Sequence, residues 1–393
     1  MSTTAADSAY ADITGYRRAD GRLGLRNHLV VLSTLALTNR IAQLVAQTLP
    51  GALMVGGDLQ RGLRGIDARR QERLVRAVLE HPNTGGALVY VHDTPSKDRI
   101  VAWARGLGKP VQVLAYMEGR GIAASLQRGA AALGELQAAI SGAQREAGHL
   151  GELTVALECG GSDPTSAVCA NPGIGGFVDR LIAAGGSAIV SETAEFIGAE
   201  PVVSARAQSA EAAAAVIEAI RRRERMMFED GEDYRGVNPT EENIAGGLTT
   251  LVEKSMGAVA KCGTSPLMGA LDFGERPQSP GLWFMDTPFF SPVSLTGMVM
   301  TGAQMILFGI GVFNPSAVPL VPTVKVCGNP ATVRDWADAV DVDISGIVDG
   351  RLTLADAVDA LQRCVVGTCR GATTWSERWG EGQMISPREL QAI

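Results

Sequence analysis

The stretch LECGGSDPTSAVCANPGIGGFVD, residues Leu157–Asp179, contains the pattern that indicates the fold class. It continues the apolar run LTVAL, which predicts a buried strand, and it passes into a segment with helical spacing that begins near Asn171. Between the two, carboxylate, thiol, hydroxyl and amide side chains crowd one glycine-containing turn. Such turns follow the carboxyl ends of parallel strands, where α/β proteins usually bind ligands. The stretch therefore predicts both an α/β fold and a functional site.

The same alternation runs through most of the 393 residues. Short apolar runs such as His28–Thr34 and Gly86–Val91 alternate with amphipathic segments, as in a parallel sheet that is covered on both faces. We predict a flexible tail over residues 1–14 and a Rossmann-like α/β domain over residues 15–148. A larger α/β domain over residues 149–393 carries the main polar motifs.

Three segments of the larger domain have clear helical or buried character. Continuous helices are predicted over Ser209–Asp230 and over Thr240–Lys261. The uncharged segment Thr296–Phe313 is short for a membrane span and is interrupted by glycines. It therefore predicts a buried helix followed by a buried strand.

Composition excludes several classes of protein. The net charge of −7 argues against nucleic acid or an anionic membrane as the main partner. No signal peptide is recognised and the six cysteines form no CxxC pair, so we expect a cytoplasmic protein with reduced thiols. The turn STLALTN after the first strand lacks the GxGxxG fingerprint, which argues against a nicotinamide-dependent dehydrogenase. A chain of this length can bury a large apolar area, so we expect self-association into a homo-oligomer.

Several segments resemble the altronate dehydratase/galactarate dehydratase family, which also includes the large subunit of sulfolactate sulfo-lyase. The resemblance extends from about Gly15 to the C-terminus. It rests on GYRRADGRLGLRNHLVVLST (Gly15–Thr34), LTVALECGGSDPTSAVCANPGIG, AAGGSAIVSETAEFIGAE (Ala183–Glu200) and GLWFMDTPFFSPVSLTGMVMTGAQMILFGIG (Gly281–Gly311).

The resemblance implies a hydro-lyase that removes water from a sugar acid, such as an aldonate or an aldarate, to give a 2-keto-3-deoxy acid. It also implies help from a divalent metal, iron or manganese. Members of the family carry a small N-terminal domain or pair with a separate small subunit. No such domain is recognised in this sequence, so a small partner subunit is predicted.

Three turns depart from the pattern of the family. Leu37 stands where relatives have a Cys, GGDLQRG (Gly56–Gly62) where they have His and Cys, and HDT (His92–Thr94) where they have a GCE-like turn. Thiol and imidazole ligands favour soft or borderline metals. We therefore expect a hard metal bound through oxygen, no metal, or a different substrate. The remaining candidate metal ligands are His92, Asp93 and Cys159.

Elimination of water beside a carboxylate requires a base for the α-proton, an acid for the leaving hydroxyl, and a group that holds the enolate charge. Side chains at predicted strand ends and in the matched segments can supply these functions. The predicted catalytic residues are Glu158, Cys159, Asp163, Glu192 and Lys261. The predicted substrate-binding residues, chosen for their ability to bind carboxylates or hydroxyls, are Arg22, Arg26, Ser162, Asn171, Asp286, Lys325 and Asn329.

These assignments have structural alternatives. The turn Glu158–Asp163 is also found as a helix cap, although we favour a functional role for it, and Cys159 is equally typical of an inert buried thiol. Arg22 and Arg26 can instead tie down the N-terminal segment through salt bridges. His92 can be merely exposed rather than an acid–base group.

Two other functions remain open from the sequence. The chain can be a sulfo-lyase large subunit that acts on a sulfo-hydroxy acid and releases sulfite. It can also be a non-catalytic paralogue, or a subunit that needs a small partner.

Overall fold

The computed structural model describes residues 12–58 and 62–390. The chain forms two compact units. The first consists mainly of Thr14–Ala147, with Pro319–Val321 and the segment from Gln383, and the second mainly of Gly148–Val318 and Pro322–Gly382.

The segment predicted as a tail is described only in part. Residues 1–11 lie outside the described residues, and a strand begins at Asp12.

The described residues of the first unit form a parallel sheet and four α-helices. The strands in this part of the chain are β1 (Asp12–Arg17), β2 (Leu23–Gly24), β3 (His28–Ser33), β4 (Leu53–Val55), β5 (Thr84–Val91), β6 (Val111–Ala115) and β7 (Glu146–His149). Three of them form a small sheet in the order β2–β1–β7. The helices are α1 (Asn39–Ala46), α2 (Gly65–Glu80), α3 (Thr94–Ala104) and α4 (Ile122–Ile140). The order of the parallel sheet is β4–β3–β5–β6. Apolar side chains of β3 and β5 pack against α1 and α4, as the apolar runs predict.

The second unit is built on a seven-stranded parallel sheet. Its strands are β8 (Thr154–Gly160), β9 (Ser187–Val190), β10 (Leu267–Leu271), β11 (Gly281–Met285), β12 (Met305–Ile310), β13 (Thr323–Cys327) and β14 (Val342–Asp343). They lie in the order β10–β11–β9–β8–β12–β13–β14. The helices are α5 (Asn171–Ala183), α6 (Glu200–Arg206), α7 (Ala210–Met226), α8 (Glu241–Ala245), α9 (Leu251–Val259), α10 (Ser291–Met300), α11 (Pro330–Asp335), α12 (Leu354–Cys369) and α13 (Trp375–Trp379). The predicted α/β class with parallel sheets is confirmed.

The predicted single helix over Thr240–Lys261 is wrong. The chain forms α8 and α9 instead, and the paired glycines Gly246 and Gly247 lie between them. Gly247 has φ +110°, a conformation that a helix does not contain and that glycine adopts without steric cost. The break matters for the site because it allows α9 to take its own direction.

The uncharged segment Thr296–Phe313 forms the end of α10 and all of β12, so the prediction of a buried helix followed by a buried strand is confirmed. In the described parts of the chain, no helix is long and apolar enough to cross a membrane.

Candidate active site

The carboxyl edge of the seven-stranded sheet gathers polar side chains from neighbouring strands. Glu158 and Cys159 lie near the end of β8, and Glu192 follows β9, which pairs with β8 in parallel. Because the carboxyl ends of parallel strands meet at one edge, the sequence-predicted residues of these two strands fall on the same side of the sheet.

Two lysines flank one buried glutamate. The Nζ atom of Lys261 lies 2.6 Å from Glu195 Oε2, and the Nζ atom of Lys254 lies 3.9 Å from Glu195 Oε1. Lys261 and Glu195 are fully buried. Burial alone would lower the pKa of Lys261, but Glu195, Cys159 and Glu158 together raise it. The ammonium therefore stays charged, and it is the main positive group of the cluster.

Glu158 is a buried carboxyl whose protonation state changes near neutral pH. Its Oε2 atom accepts a 2.7 Å hydrogen bond from Ser294 Oγ, and its Oε1 atom has no partner within the described residues. Burial raises the pKa of Glu158 to about 7; Lys261 opposes this shift and Glu195 adds to it. A carboxyl with such a pKa can both accept and donate a proton under physiological conditions.

Glu192 has an unusual backbone conformation. Its φ of 66° and ψ of 69° are left-handed, and it is the only non-glycine residue with positive φ among those described. Its N–H donates a 3.0 Å hydrogen bond to Thr287 Oγ1, and the Thr287 hydroxyl lies 2.6 Å from Ser191 Oγ. Burial, and then the carboxylates of Glu158 and Glu195, raise the pKa of Glu192 well above its ordinary value. The side chain is thus held neutral in a strained position, a combination found mainly at functional sites.

The thiol of Cys159 is held by two polar neighbours. Its Sγ atom lies 3.2 Å from Ser162 Oγ and accepts a 3.3 Å hydrogen bond from Asn171 Nδ2. Burial and the carboxylate of Glu195 raise the pKa of Cys159, so the thiol is neutral at pH 7. A cavity of about 10 Å³ beside these three residues and Lys254 has room for roughly one water molecule.

Asp163 and Asn329 stabilise the turn that surrounds this group. Asp163 accepts hydrogen bonds from the Ser166 N–H at 2.8 Å and from Asn329 Nδ2 at 2.7 Å. Asn329 Oδ1 in turn accepts from the Ala331 N–H at 2.9 Å and so caps α11. Both side chains are therefore engaged within the protein.

Asp286 and Lys325 are also engaged internally. The carboxylate of Asp286 accepts from Thr193 Oγ1 at 2.6 Å and forms ion pairs with Arg222 and Arg223 of α7. Burial would raise the pKa of Asp286, but Thr193, Arg223 and Arg222 hold it below its ordinary value.

The ammonium of Lys325 pairs with Glu381 and lies 4.8 Å from the centre of the Phe313 ring. Burial lowers the pKa of Lys325, and Glu381 opposes that shift.

The two predicted arginines belong to the first unit. Arg22 pairs with Asp20 and donates to the carbonyl of Glu80 at the end of α2, at 2.6 Å. Arg26 donates to the carbonyl of Leu25 at 3.0 Å. For Arg22 these contacts match the alternative in which salt bridges tie the N-terminal segment down.

The described residues do not fit a divalent metal. Within residues 12–58 and 62–390, no three His, Cys, Asp or Glu side chains are grouped so that they could hold a metal ion. Asp93 caps α3 by accepting from the Ser96 N–H at 3.0 Å, and the Cys159 thiol is engaged by Ser162 and Asn171. Residues 59–61 of the turn Gly56–Gly62 lie outside the described residues.

Three residues of this group, Glu195, Lys254 and Ser294, are not among the predicted site residues. Lys254 lies two helical turns before Lys261, a spacing that places both on one face and could have indicated a pair. Ser294 lies in the apolar helix α10, where no pattern in the sequence indicates a functional hydroxyl.

Comparison with known proteins assigns the chain to a family. Residues 150–391 match the family described as D-galactarate/altronate dehydratase, C-terminal, and residues 15–141 match D-galactarate dehydratase/altronate hydrolase, second domain. The chain belongs to the D-galactarate/altronate dehydratase family. The predicted resemblance is thus confirmed.

Individual relatives in this family are named as lyases. The chain is 32% identical to (2R)-sulfolactate sulfo-lyase subunit beta of Chromohalobacter salexigens, over 95% of this chain and 96% of the relative. It is 28% identical to altronate dehydratase of Escherichia coli, over 95% of this chain and 77% of the relative. It is 30% identical to altronate dehydratase of Bacillus subtilis, over 80% of this chain but only 65% of the relative. These names support a lyase.

Proposed function

We propose that this chain is a hydro-lyase that removes water from a sugar acid, an aldonate or an aldarate, to give a 2-keto-3-deoxy acid. The observation that supports this best is the buried cluster of Glu158, Glu192, Glu195, Lys254 and Lys261 at the carboxyl edge of the seven-stranded sheet. At this edge of the sheet, the cluster combines a carboxyl with a pKa of about 7, a neutral carboxyl and two cations.

The cluster contains the groups that an elimination needs. Glu158 in its ionised form takes the proton from the α-carbon, and the electron pair of that bond forms the carbon–carbon double bond. Glu192 in its protonated form donates to the β-hydroxyl, which leaves as water. Lys261 and Lys254 stabilise the negative charge that develops on the substrate carboxylate. The enol product then tautomerises to the 2-keto acid.

Access to the cluster requires a movement of the chain. The cavity beside Cys159 holds about one water molecule, and Leu248, Lys254 and Gly257 of the α8–α9 segment form part of its wall. We therefore infer that α9 moves outward when a substrate enters.

A second candidate is a sulfo-lyase, which the 32% identity to the sulfolactate sulfo-lyase subunit beta favours. Sulfite leaves as an anion and needs no proton from the enzyme, whereas hydroxide does. We therefore expect Glu192→Gln to abolish loss of water but to leave sulfite release largely intact.

The name of the same relative also suggests a partner. We propose that this chain assembles with a small subunit, as well as with copies of itself. Co-purification of a tagged chain with the products of neighbouring genes, followed by mass spectrometry and light scattering, tests both.

The deciding experiment screens aldonic, aldaric and sulfo-hydroxy acids for 2-keto acid and for sulfite. It is run anaerobically, with and without added Fe(II), Mn(II) or Mg(II), because the family resemblance implies a metal. We expect 2-keto acid from at least one sugar acid, loss of that activity in Glu158→Gln, and retention in the exposed control Glu229→Gln. The proposal is contradicted if no sugar acid gives a 2-keto acid under any metal condition.

A further inference from the structure

A cavity of about 350 Å³ lies in the first unit, at the carboxyl ends of two strands. Leu35 follows β3, and His92 and Asp93 follow β5; all three line the cavity. Helices α2 and α3 form its sides. Its volume falls at the lower end of the range of small-molecule sites, about 300–1,000 Å³.

The topology of the sheet places this cavity where ligands are expected. In the order β4–β3–β5–β6, the chain goes from β3 to β4 on one side and then to β5 on the other side of β3. The direction of winding therefore reverses between β3 and β5. In open parallel sheets, ligands bind in the crevice at this reversal point, outside the carboxyl ends of the strands.

The polar side chains of the cavity define what it can hold. Gln71 is only 4% exposed, and its Oε1 atom has no hydrogen-bond partner within the described residues, so it can accept from a ligand hydroxyl. The guanidinium carbon atoms of Arg76 and Arg99 lie 4.1 Å and 6.0 Å, respectively, from the ring centre of Trp103. Arg76 is paired with Glu72, whereas Arg99 is exposed and is available to bind an anion.

The cavity suits a carboxylate better than a phosphate. Rossmann-like proteins bind phosphates at the N-terminus of a helix, on free backbone N–H groups. Here the side chain of Asp93 accepts from the Ser96 N–H at that position of α3, so this donor is already occupied. A carboxylate carries one negative charge where a phosphate carries nearly two, so Asp93 repels it less, and the planar guanidinium of Arg99 can bind it in a bidentate manner.

We propose that this cavity binds a small hydroxylated carboxylic acid, with its carboxylate on Arg99, a hydroxyl on Gln71 and its carbon chain over Val75 and Ile100. The proposal rests on the proposed function only in the choice of hydroxy acids as the ligand class. It assigns to the first unit a binding role of its own.

Calorimetry with galactarate tests this without turnover when the Glu158→Gln chain is used. Adipate has the same carbon chain and carboxylates without hydroxyls, and galactitol has the hydroxyls without carboxylates. We expect galactarate to bind at least tenfold more tightly than either, and Arg99→Gln or Gln71→Leu to weaken that binding at least tenfold. The matched control Arg105→Gln, an exposed arginine at the end of α3, should bind like its parent.

Fluorescence locates the binding. Galactarate should change the tryptophan emission of the parent, and Trp103→Phe should remove most of that change. Three results overturn the proposal: no preference for galactarate, binding that is unaffected by Arg99→Gln, or tighter binding of inorganic phosphate. Since Arg99 is exposed, its substitution tests the site even if Gln71→Leu fails to fold. A chain that shows this binding but forms no 2-keto acid supports the cavity and contradicts the hydro-lyase.

Discussion

The backbone N–H of Glu192 donates a 3.0 Å hydrogen bond to the side-chain hydroxyl of Thr287, so the segment after β11 holds the residue after β9 in its left-handed conformation. The link is reciprocal, because the N–H of Thr287 donates to Thr193 Oγ1 at 3.0 Å. Thr193 also donates to Asp286 at 2.6 Å. The ends of two neighbouring strands are thereby tied together around one carboxyl group.

Removal of the Thr287 hydroxyl should release this constraint. Thr287→Val leaves the buried N–H of Glu192 without an acceptor, and we expect a loss of about 1–3 kcal/mol in the free energy of unfolding. We expect kcat to fall further than in a variant that loses the same stability elsewhere. Thr287→Ser keeps the hydroxyl and should retain both the stability and the kcat of the parent. Urea unfolding and kcat measure the two effects.

The control is Thr301→Val, which removes another buried hydroxyl, one that donates to the carbonyl of Met298 at 2.6 Å. It should cost comparable stability without a specific loss of kcat. Equal losses of kcat in the two variants would show that Thr287 has only a structural role.

The left-handed backbone of Glu192 gives a second prediction. Ala and Gly at this position both remove the carboxyl, but only Gly adopts φ of 66° without steric cost. We expect Glu192→Gly to be more stable than Glu192→Ala by about 1–2 kcal/mol. Both should lack hydro-lyase activity. Thermal and urea unfolding measure the difference, and equal stabilities would contradict the assigned conformation.

The pair Lys261–Glu195 should respond asymmetrically to substitution. Lys261→Met removes the cation closest to a fully buried carboxylate and should cost about 3–5 kcal/mol in the free energy of unfolding. The double variant Lys261→Met with Glu195→Gln removes both charges and should recover a large part of that loss. A double variant as unstable as the single one would mean that packing, not the ion pair, dominates.

Glu158 predicts a specific dependence of stability on pH. Its pKa of about 7 in the folded protein lies above the value of 4.5 for an unperturbed Glu. The folded state therefore binds the proton more tightly, so this contribution is complete below about pH 4.5 and is lost as the pH rises through 7. Relative to Glu158→Gln, the parent should lose on the order of 1–3 kcal/mol of stability between pH 5 and pH 8.

The ionisation of Glu158 should also affect activity, but activity should increase over the pH range in which stability decreases. Since the base must be ionised, kcat/KM should rise with pH through about 7. A profile without this ascending limb would argue against Glu158 as the base.

Much of the fold was predictable because its cause is local. The run LTVAL and the helical spacing after Asn171 gave β8 and α5 directly, since apolar periodicity reflects burial on a sheet or a helix. The helix predicted over Thr240–Lys261 is too long, because the apolar periodicity of the sequence continues across Gly246–Gly247 whereas the helical backbone is interrupted there.

The partners of site residues were much less predictable. A carboxylate after an apolar strand is equally typical of catalysis and of an internal ion pair, and Asp286 is neutralised by arginines of α7 that are distant in sequence. Lys254 looks like a surface residue of an amphipathic helix, yet only 6% of it is exposed. Which of these charges are buried together depends on tertiary packing, which periodicity does not report.

The cluster around Glu195 contains three carboxyl groups but only two ammonium groups. An acidic metabolite that enters it adds further negative charge, and the carboxyls whose ionisation is already disfavoured are the ones that must respond. Binding should therefore draw hydrogen ions from the buffer, and the heat of binding should vary with the ionisation enthalpy of the buffer chosen.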